Sequence, residues 1–283
     1  MSILIADCGA SKCSWALLSG EGQVVQHETT GMHAASLSVE DMRQWLGALT
    51  GSGIPLDGVD TIYFYGTGCL SESINANVRQ ALQEKIPGTR RVSVDSDIRG
   101  ALAAFSPEHP AYIGILGTGT NVGYYDGQQW SPCSRPLGYI LGDEGSGADF
   151  GKALLRGILR EQFNSTITRA FYGKYQLSPT DVIGQLYSSP APNRLLASYA
   201  AFIHAHLEEE QMQDLVRRRF DHFIQAHLIP CPYKNTNLVY LSGGIATSFE
   251  ALLSECLDRH GYYLMQTLRR PIEGLIKQAL INR

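Results

Sequence analysis

Apolar residues in the first part of the chain come in short runs that end on small residues and turn back. Ile3-Leu4-Ile5-Ala6 leads into Asp7-Cys8-Gly9-Ala10-Ser11-Lys12, a second apolar run follows from Ser14 to Leu18, and Gly20-Glu21-Gly22 closes it. Further along, Ile113-Gly114-Ile115-Leu116 leads into Gly117-Thr118-Gly119-Thr120-Asn121, returns through Val122 to Tyr125 and turns at Asp126-Gly127. Both read as strand, glycine turn, strand, glycine turn. Val24 to Thr29 adds a third strand to the first copy.

The period then changes. Val39 to Leu49 has helical spacing, Thr61 to Tyr65 is a buried-strand run, Ser71 to Lys85 is helical again and Arg91 to Val94 is a strand. Asp95-Ser96-Asp97 offers capping oxygens to a helix ending near Phe105. After the connector Ser106-Pro107-Glu108-His109-Pro110 the second copy starts at Ala111. A helical block runs from about Ser146 to Leu228, broken near Ser178-Pro179 and Ser188-Ser189-Pro190. Leu238 to Gly244 is a strand ending in paired glycines, and Thr247-x-x-Glu250 has the form of a capping box opening the next helix. Pro271 to Leu280 is amphipathic, with Pro at a first helical position and Ile272, Leu275 and Ile276 on its apolar face. The repetition predicts an internally duplicated α/β protein of two lobes.

Glycine turns let the backbone direct several N–H groups outward, and beside Ser or Thr hydroxyls they suit phosphate oxygens. Gly9, Ser11 and Lys12 in the first turn, and Gly117, Thr118, Gly119 and Thr120 in the second, are the candidates. Gly243 and Gly244, between a strand and a helix start, form a third polar edge for a nucleotide. Phosphoryl transfer needs phosphate positioning, charge neutralisation by Mg²⁺ and a carboxylate near the attacking hydroxyl. Asp7 ends the first strand beside the first turn, where a carboxylate can hold hydrated Mg²⁺. Asp97, at a strand-to-helix junction, is the candidate general base; Asp95 is its equal on spacing, and helix capping is the alternative role. Gly142-Asp143-Glu144-Gly145-Ser146-Gly147 sets carboxylates between glycines just ahead of a helix, a suitable arrangement for sugar hydroxyls.

Composition narrows the picture. A net charge of −4 leaves no basic surplus for a nucleic-acid partner, and no stretch of about 18 apolar residues or signal-peptide pattern is present, so a cytoplasmic chain without membrane contact is expected. Six scattered cysteines without a Cys-x-x-Cys pair read as free thiols. His204, His206, His222 and His227 match no standard zinc spacing and are expected in packing or surface roles. A Walker-type phosphate loop is missing, and Gly117-x-Gly119-x-x-x-Gly123 both misses the dinucleotide fingerprint and leads into a strand.

Several motifs in this order resemble one family. They are Asp7-x-Gly9-x-Ser11-Lys12, Tyr63-Phe64-Tyr65-Gly66-x-Gly68-Cys69, Asp97-x-x-Gly100-Ala101, Gly117-Thr118-Gly119-Thr120-Asn121 and the stretch from Pro136 to Gly147. Ser242-Gly243-Gly244 and Pro271-Ile272-Glu273-Gly274-Leu275 extend the match. Together they resemble the N-acetylglucosamine kinases of the BadF/BadG-type ATPase family, within the actin, heat-shock-chaperone and sugar-kinase superfamily. The resemblance implies two ribonuclease-H-like, actin-like ATPase lobes with ATP and sugar in an interlobe cleft. One lobe is residues 1–108 joined by a C-terminal helix at 271–283; the other is 109–270 with a helical insertion. An ATP- and Mg²⁺-dependent kinase acting on a small amino sugar is implied, N-acetylglucosamine at O6 first, with N-acetylmuramic acid or glucosamine as alternatives. A BadF-type activator ATPase and a non-catalytic sensor are the rival outcomes, and a homodimer is admitted. The resemblance places the catalytic carboxylate at Asp97, and ATP phosphate contacts at Ser11 and Thr118. Sugar contacts fall at His33, Thr120, Asn121, Asp143 and the backbone of Pro136, Leu137 and Gly138. The first turn departs from the family pattern at Cys8, Ala10 and Cys13, the last removing a hydroxyl near the phosphates, and His33 stands where the family often has Asn.

Overall fold

The computed structural model describes residues 1–51 and 53–282. The chain divides into two compact units, residues 1–107 with 270–283 and residues 108–269. Arg283, the last residue of the expected C-terminal helix, lies outside the described residues.

In the first unit β1 (Ser2–Cys8), β2 (Lys12–Leu18), β3 (Val24–Thr30), β4 (Val59–Gly66) and β5 (Arg91–Ser96) form one sheet in the order β3-β2-β1-β4-β5. The first three strands are an antiparallel meander, and β4 and β5 run parallel to β1. Parallel neighbours need crossovers, supplied by the helices Val39–Thr50 and Glu72–Lys85. Each starts on a serine cap: Ser38, whose N–H donates in return to the Asp41 carboxylate, and Ser71. Alternation along β1 sends Leu4, Ala6 and Cys8 into a core with Trp15, Leu46, Ile62, Phe64 and Leu82, and Ile5 and Asp7 to the opposite face. The helices Asp97–Phe105 and Pro271–Ile281 pack on β1 and on each other. A Cβ at Gly274 would lie 2.5 Å from the Ala104 carbonyl oxygen, so only glycine permits their close approach.

The second unit repeats this topology. β6 (Ala111–Leu116), β7 (Thr120–Tyr125), β8 (Trp130–Pro132), β9 (Leu238–Ser242) and β10 (Tyr263–Leu268) run in the order β10-β9-β6-β7-β8. The antiparallel and parallel pairings match those of the first sheet, with β6 in the place of β1 and β9 in that of β4. Between β8 and β9 comes the helical insertion, chiefly Gly147–Leu159, Ser165–Tyr175, Pro179–Ser188 and Glu210–Phe223, around a core rich in Phe150, Phe171, Phe202 and Phe220.

One local expectation changes, and two strands go unpredicted. Thr247 lies inside a short helix, Gly244–Ser248, where its hydroxyl donates back to the Gly243 carbonyl; the next helix, Glu250–Arg259, starts on Phe249 with no side-chain cap, so no capping box forms. β8 escapes the sequence pattern because it is three residues long. β10 escapes because it is an edge strand with no fully buried residue, which leaves no apolar alternation to read. Among the described residues no helix is long and apolar enough to cross a membrane.

Candidate active site

The first glycine turn joins β1 to β2, whose register sets Cys8 opposite Cys13. Gly9 does not present its amide outward as expected: its N–H donates to the Lys12 carbonyl at 2.9 Å and closes the turn. Lys12 is engaged in an exposed ion pair. Its Nζ pairs with Glu28 Oε2 at 2.5 Å, and Arg270 holds the other oxygen at 2.7 Å. Ser11 is exposed at the tip. Cys13 is fully buried in the core, so a hydroxyl in its place would face the interior and the family departure there removes no phosphate contact. Behind the turn stands Gly31, where a Cβ would lie 2.1 Å from the Gly9 carbonyl oxygen and 2.3 Å from the Lys12 nitrogen.

Asp97 is the first residue of its helix, and the N-cap residue is Ser96, which makes no side-chain cap bond. The carboxylate is part-buried. Its Oδ2 accepts the Thr67 hydroxyl at 2.6 Å and its Oδ1 accepts the Ile98 N–H at 2.8 Å. Burial raises the Asp97 pKa, while those two donors and the nearby His33 pull it back. Asp95 is exposed and bonds only to the next backbone N–H, that of Ser96, among its described hydrogen bonds. Thr67 joins three segments: its N–H donates to the Cys8 carbonyl, its carbonyl accepts from Ala34, and its hydroxyl holds Asp97. His33 is exposed, with Nδ1 3.1 Å from Ser36 Oγ, and a Cβ at Gly68 would come within 2.9 Å of that nitrogen.

Asp7, on the same sheet face as the Asp97 helix, is pushed up to about 7 by burial and then by the negative charge of Asp97; the Ile272 N–H and Arg270 act against this. Among the described residues no three His, Cys, Asp or Glu side chains converge as a metal cage. A carboxylate whose ionisation is opposed by burial and by a neighbouring negative charge is a donor that would suit a hydrated divalent cation.

In the second unit the turn Gly117–Gly119 packs onto the start of the helix Gly147–Leu159. Gly147 N–H donates to the Gly117 carbonyl at 2.8 Å and Ala148 N–H to that of Thr118 at 3.2 Å. The Gly117 amide is spent on Gly119 within the turn, so it too is unavailable as a phosphate donor. Thr120 is buried and builds the neighbouring loop: its hydroxyl donates to the Glu144 carbonyl at 2.8 Å, and its N–H lies near enough to the Asp143 carboxylate to favour the ionised form. Asn121 follows on β7, part-buried, opposite Ile115.

Asp143 has φ +58, a left-handed backbone that Asp tolerates better than most residues. Burial raises its pKa, and the Thr120 N–H and Lys152 lower it. Its carboxylate lies against Gly119, where a Cβ would be 2.8 Å from Oδ2. Pro136, Leu137 and Gly138 are exposed, and Lys152 anchors the next residue by donating to the Tyr139 carbonyl at 2.6 Å. Gly243, at φ +111, is a packing residue: a Cβ would lie 2.3 Å from the Leu116 carbonyl oxygen, and its N–H donates to Leu268. Gly244 is exposed with open space beside it. Sequence reasoning missed Thr67 and the backing role of Gly31. The string Gly66-Thr67-Gly68, the same as Gly117-Thr118-Gly119, was the available signal for Thr67.

No family model matches the chain, and no curated protein does. Solved structures do. A protein of Porphyromonas gingivalis described as a putative N-acetylglucosamine kinase matches at TM-score 0.92 with 31% identity, over 99% of each chain. One of Chromobacterium violaceum with the same description matches at TM-score 0.74 with 19% identity over 98% of each chain. A ROK family glucokinase of Streptomyces griseus, in complex with glucose and AMPPNP, matches at TM-score 0.56 with 12% identity over 99% of each chain. The last two bear on the fold alone.

Proposed function

We propose an activity from one premise: the chain belongs to the sugar-kinase family of the Porphyromonas gingivalis protein. Our reading is that it transfers the γ-phosphoryl group of ATP to an amino sugar, to O6 of N-acetylglucosamine in the first place. The narrower placement among the BadF/BadG-type ATPases rests on the motifs alone.

The observation that carries this reading is the setting of Asp97: a part-buried carboxylate at the end of a parallel strand, with both oxygens oriented by hydrogen bonds. Such a group accepts the proton of a sugar hydroxyl as the hydroxyl oxygen attacks the γ-phosphorus and the bond to the bridging oxygen of ADP breaks. Thr67 keeps one oxygen in place, leaving lone pairs on the carboxylate for the substrate. The hydroxyls of Ser11 and Thr118 bind phosphate oxygens, and Asp143 and Asn121 bind the sugar ring, with His33 near the base. Asp7 would hold Mg²⁺, which would supply neutralisation of phosphate charge.

The test is ATP-dependent phosphorylation by pure protein across N-acetylglucosamine, N-acetylmuramic acid, glucosamine and glucose, with product position read by nuclear magnetic resonance. We expect N-acetylglucosamine 6-phosphate and ADP in equal amounts, and a loss of turnover by orders of magnitude in Asp97→Asn. Absence of turnover on all four sugars overturns the reading.

A further inference from the structure

The loop that carries Asp143 is held from two sides. β7 holds one side through Thr120. The other side meets the helix Glu210–Phe223, which continues into a wider, π-type turn at Ile224–Leu228 closed by Ile229 N–H to the Ile224 carbonyl at 2.9 Å. The extra residue in that turn changes which side chains face the loop. Phe223 packs on Gly145, where a Cβ would lie 2.7 Å from the Phe223 Cβ, and Arg219 reaches Asp149, which in turn accepts the Gly145 N–H at 3.1 Å.

His227 comes from the same turn. It is 8% exposed, with Nδ1 2.8 Å from Ser134 Oγ and Nε2 3.3 Å from Glu144 Oε2. The Nε2 contact is electrostatic: it lies off the line of a hydrogen bond, and the atom has no other partner among the described residues. A carboxylate only accepts, so attraction to Glu144 requires the proton on Nε2, and Nδ1 then accepts the Ser134 hydroxyl. Burial lowers the pKa of His227, which favours this neutral form. An apolar side chain would fill the same space without a buried, poorly satisfied N–H, so packing alone does not call for imidazole.

We propose that His227 is a positioning residue for sugar recognition: with its tautomer set by Ser134, it holds Glu144 and thereby fixes the backbone of Asp143, the adjoining residue. This role rests on the kinase reading, in which Asp143 binds the sugar.

Two substitutions separate the ring nitrogens. His227→Gln keeps an N–H near the position of Nε2, facing Glu144; His227→Asn keeps only a group near Nδ1, facing Ser134. Kinetics with N-acetylglucosamine and ATP, calorimetric binding of N-acetylglucosamine alone, and thermal melting are measured for both. His227→Asn is expected to raise the sugar KM and Kd about tenfold, with the ATP KM within about twofold, as for loss of one contact to a charged group. His227→Gln restores sugar affinity to within about threefold of the wild type. The role is overturned if both variants keep wild-type sugar affinity, or if sugar and ATP constants rise together with a lost melting temperature. A wild-type protein that neither binds nor phosphorylates a sugar overturns the kinase reading, and this role with it.

Discussion

Thr67 donates its hydroxyl proton to Asp97 across 2.6 Å, a contact between the loop after β4 and the first turn of the helix after β5. A hydrogen bond to a carboxylate favours its ionised form, and this one opposes the rise that burial imposes on the Asp97 pKa. Thr67→Val removes the donor while keeping the shape. In the kinase reading Asp97 is the base, which then stays protonated to higher pH, so activity is lost earlier as pH falls. We expect the acid limb of the kcat/KM profile to move upward and kcat to drop about 10- to 100-fold at neutral pH, with the sugar KM nearly unchanged. Thr67→Ser, which retains the hydroxyl, recovers most of the loss.

Asp7 gives a prediction with the opposite sign for stability and activity. Its folded pKa is raised to about 7 from the ordinary 3.8, so the folded chain binds the proton more tightly than the unfolded chain. The contribution of this group to stability is therefore present at low pH and is lost as pH rises from about 4 through about 7. Asp7→Asn removes the buried charge, and its amide oxygen can still accept the Ile272 N–H. Thermal melting at pH 8 is expected to rise by roughly 3–6 °C, with the gain vanishing near pH 4. In the kinase reading turnover falls at the same time, and MgADP is expected to raise the melting temperature less than it does in the wild type.

Gly31 carries the third prediction. The atoms that a Cβ there would meet, the Gly9 carbonyl oxygen and the Lys12 nitrogen, are backbone and cannot rotate away. Gly31→Ala must displace the turn itself. Melting temperature is expected to fall by on the order of 5 °C, and the ATP KM to rise severalfold while the sugar KM changes much less.

The elements that position these groups were legible because most of them are buried, and burial writes a period into the sequence. The apolar run of β1, the glycine turn after it and their recurrence at β6 and β7 predict two sheets with one topology, and the two sheet orders correspond strand for strand. What the pattern does not carry is where a backbone group points. Gly9 and Gly117 are in turns, as read, yet each closes its own turn with the amide assigned to phosphate. Spacing cannot separate Asp95 from Asp97, because the difference comes from the strand-to-helix junction, which leaves Asp95 exposed and brings Asp97 to Thr67, 30 residues earlier. Gly31 behind Gly9, and Gly243 behind Leu116, are contacts between segments distant in sequence; a lone glycine signals only that something comes close.

The backbone of Asp143 separates its charge from its conformation. At φ +58 an alanine is strained by about 1 kcal/mol, whereas asparagine accepts the left-handed region nearly as well as aspartate. Asp143→Asn therefore keeps the loop and an acceptor oxygen near Thr120, and removes only the negative charge that, in the kinase reading, strengthens the bond to a sugar hydroxyl. The sugar KM is expected to rise about 10- to 100-fold with little change in melting temperature. Asp143→Ala adds backbone strain to the same loss, so its melting temperature drops by roughly 2–4 °C as well. Measured side by side, the two variants assign the shared part of the KM increase to charge. If Asp143→Asn binds N-acetylglucosamine as tightly as the wild type, the carboxylate is not a sugar ligand.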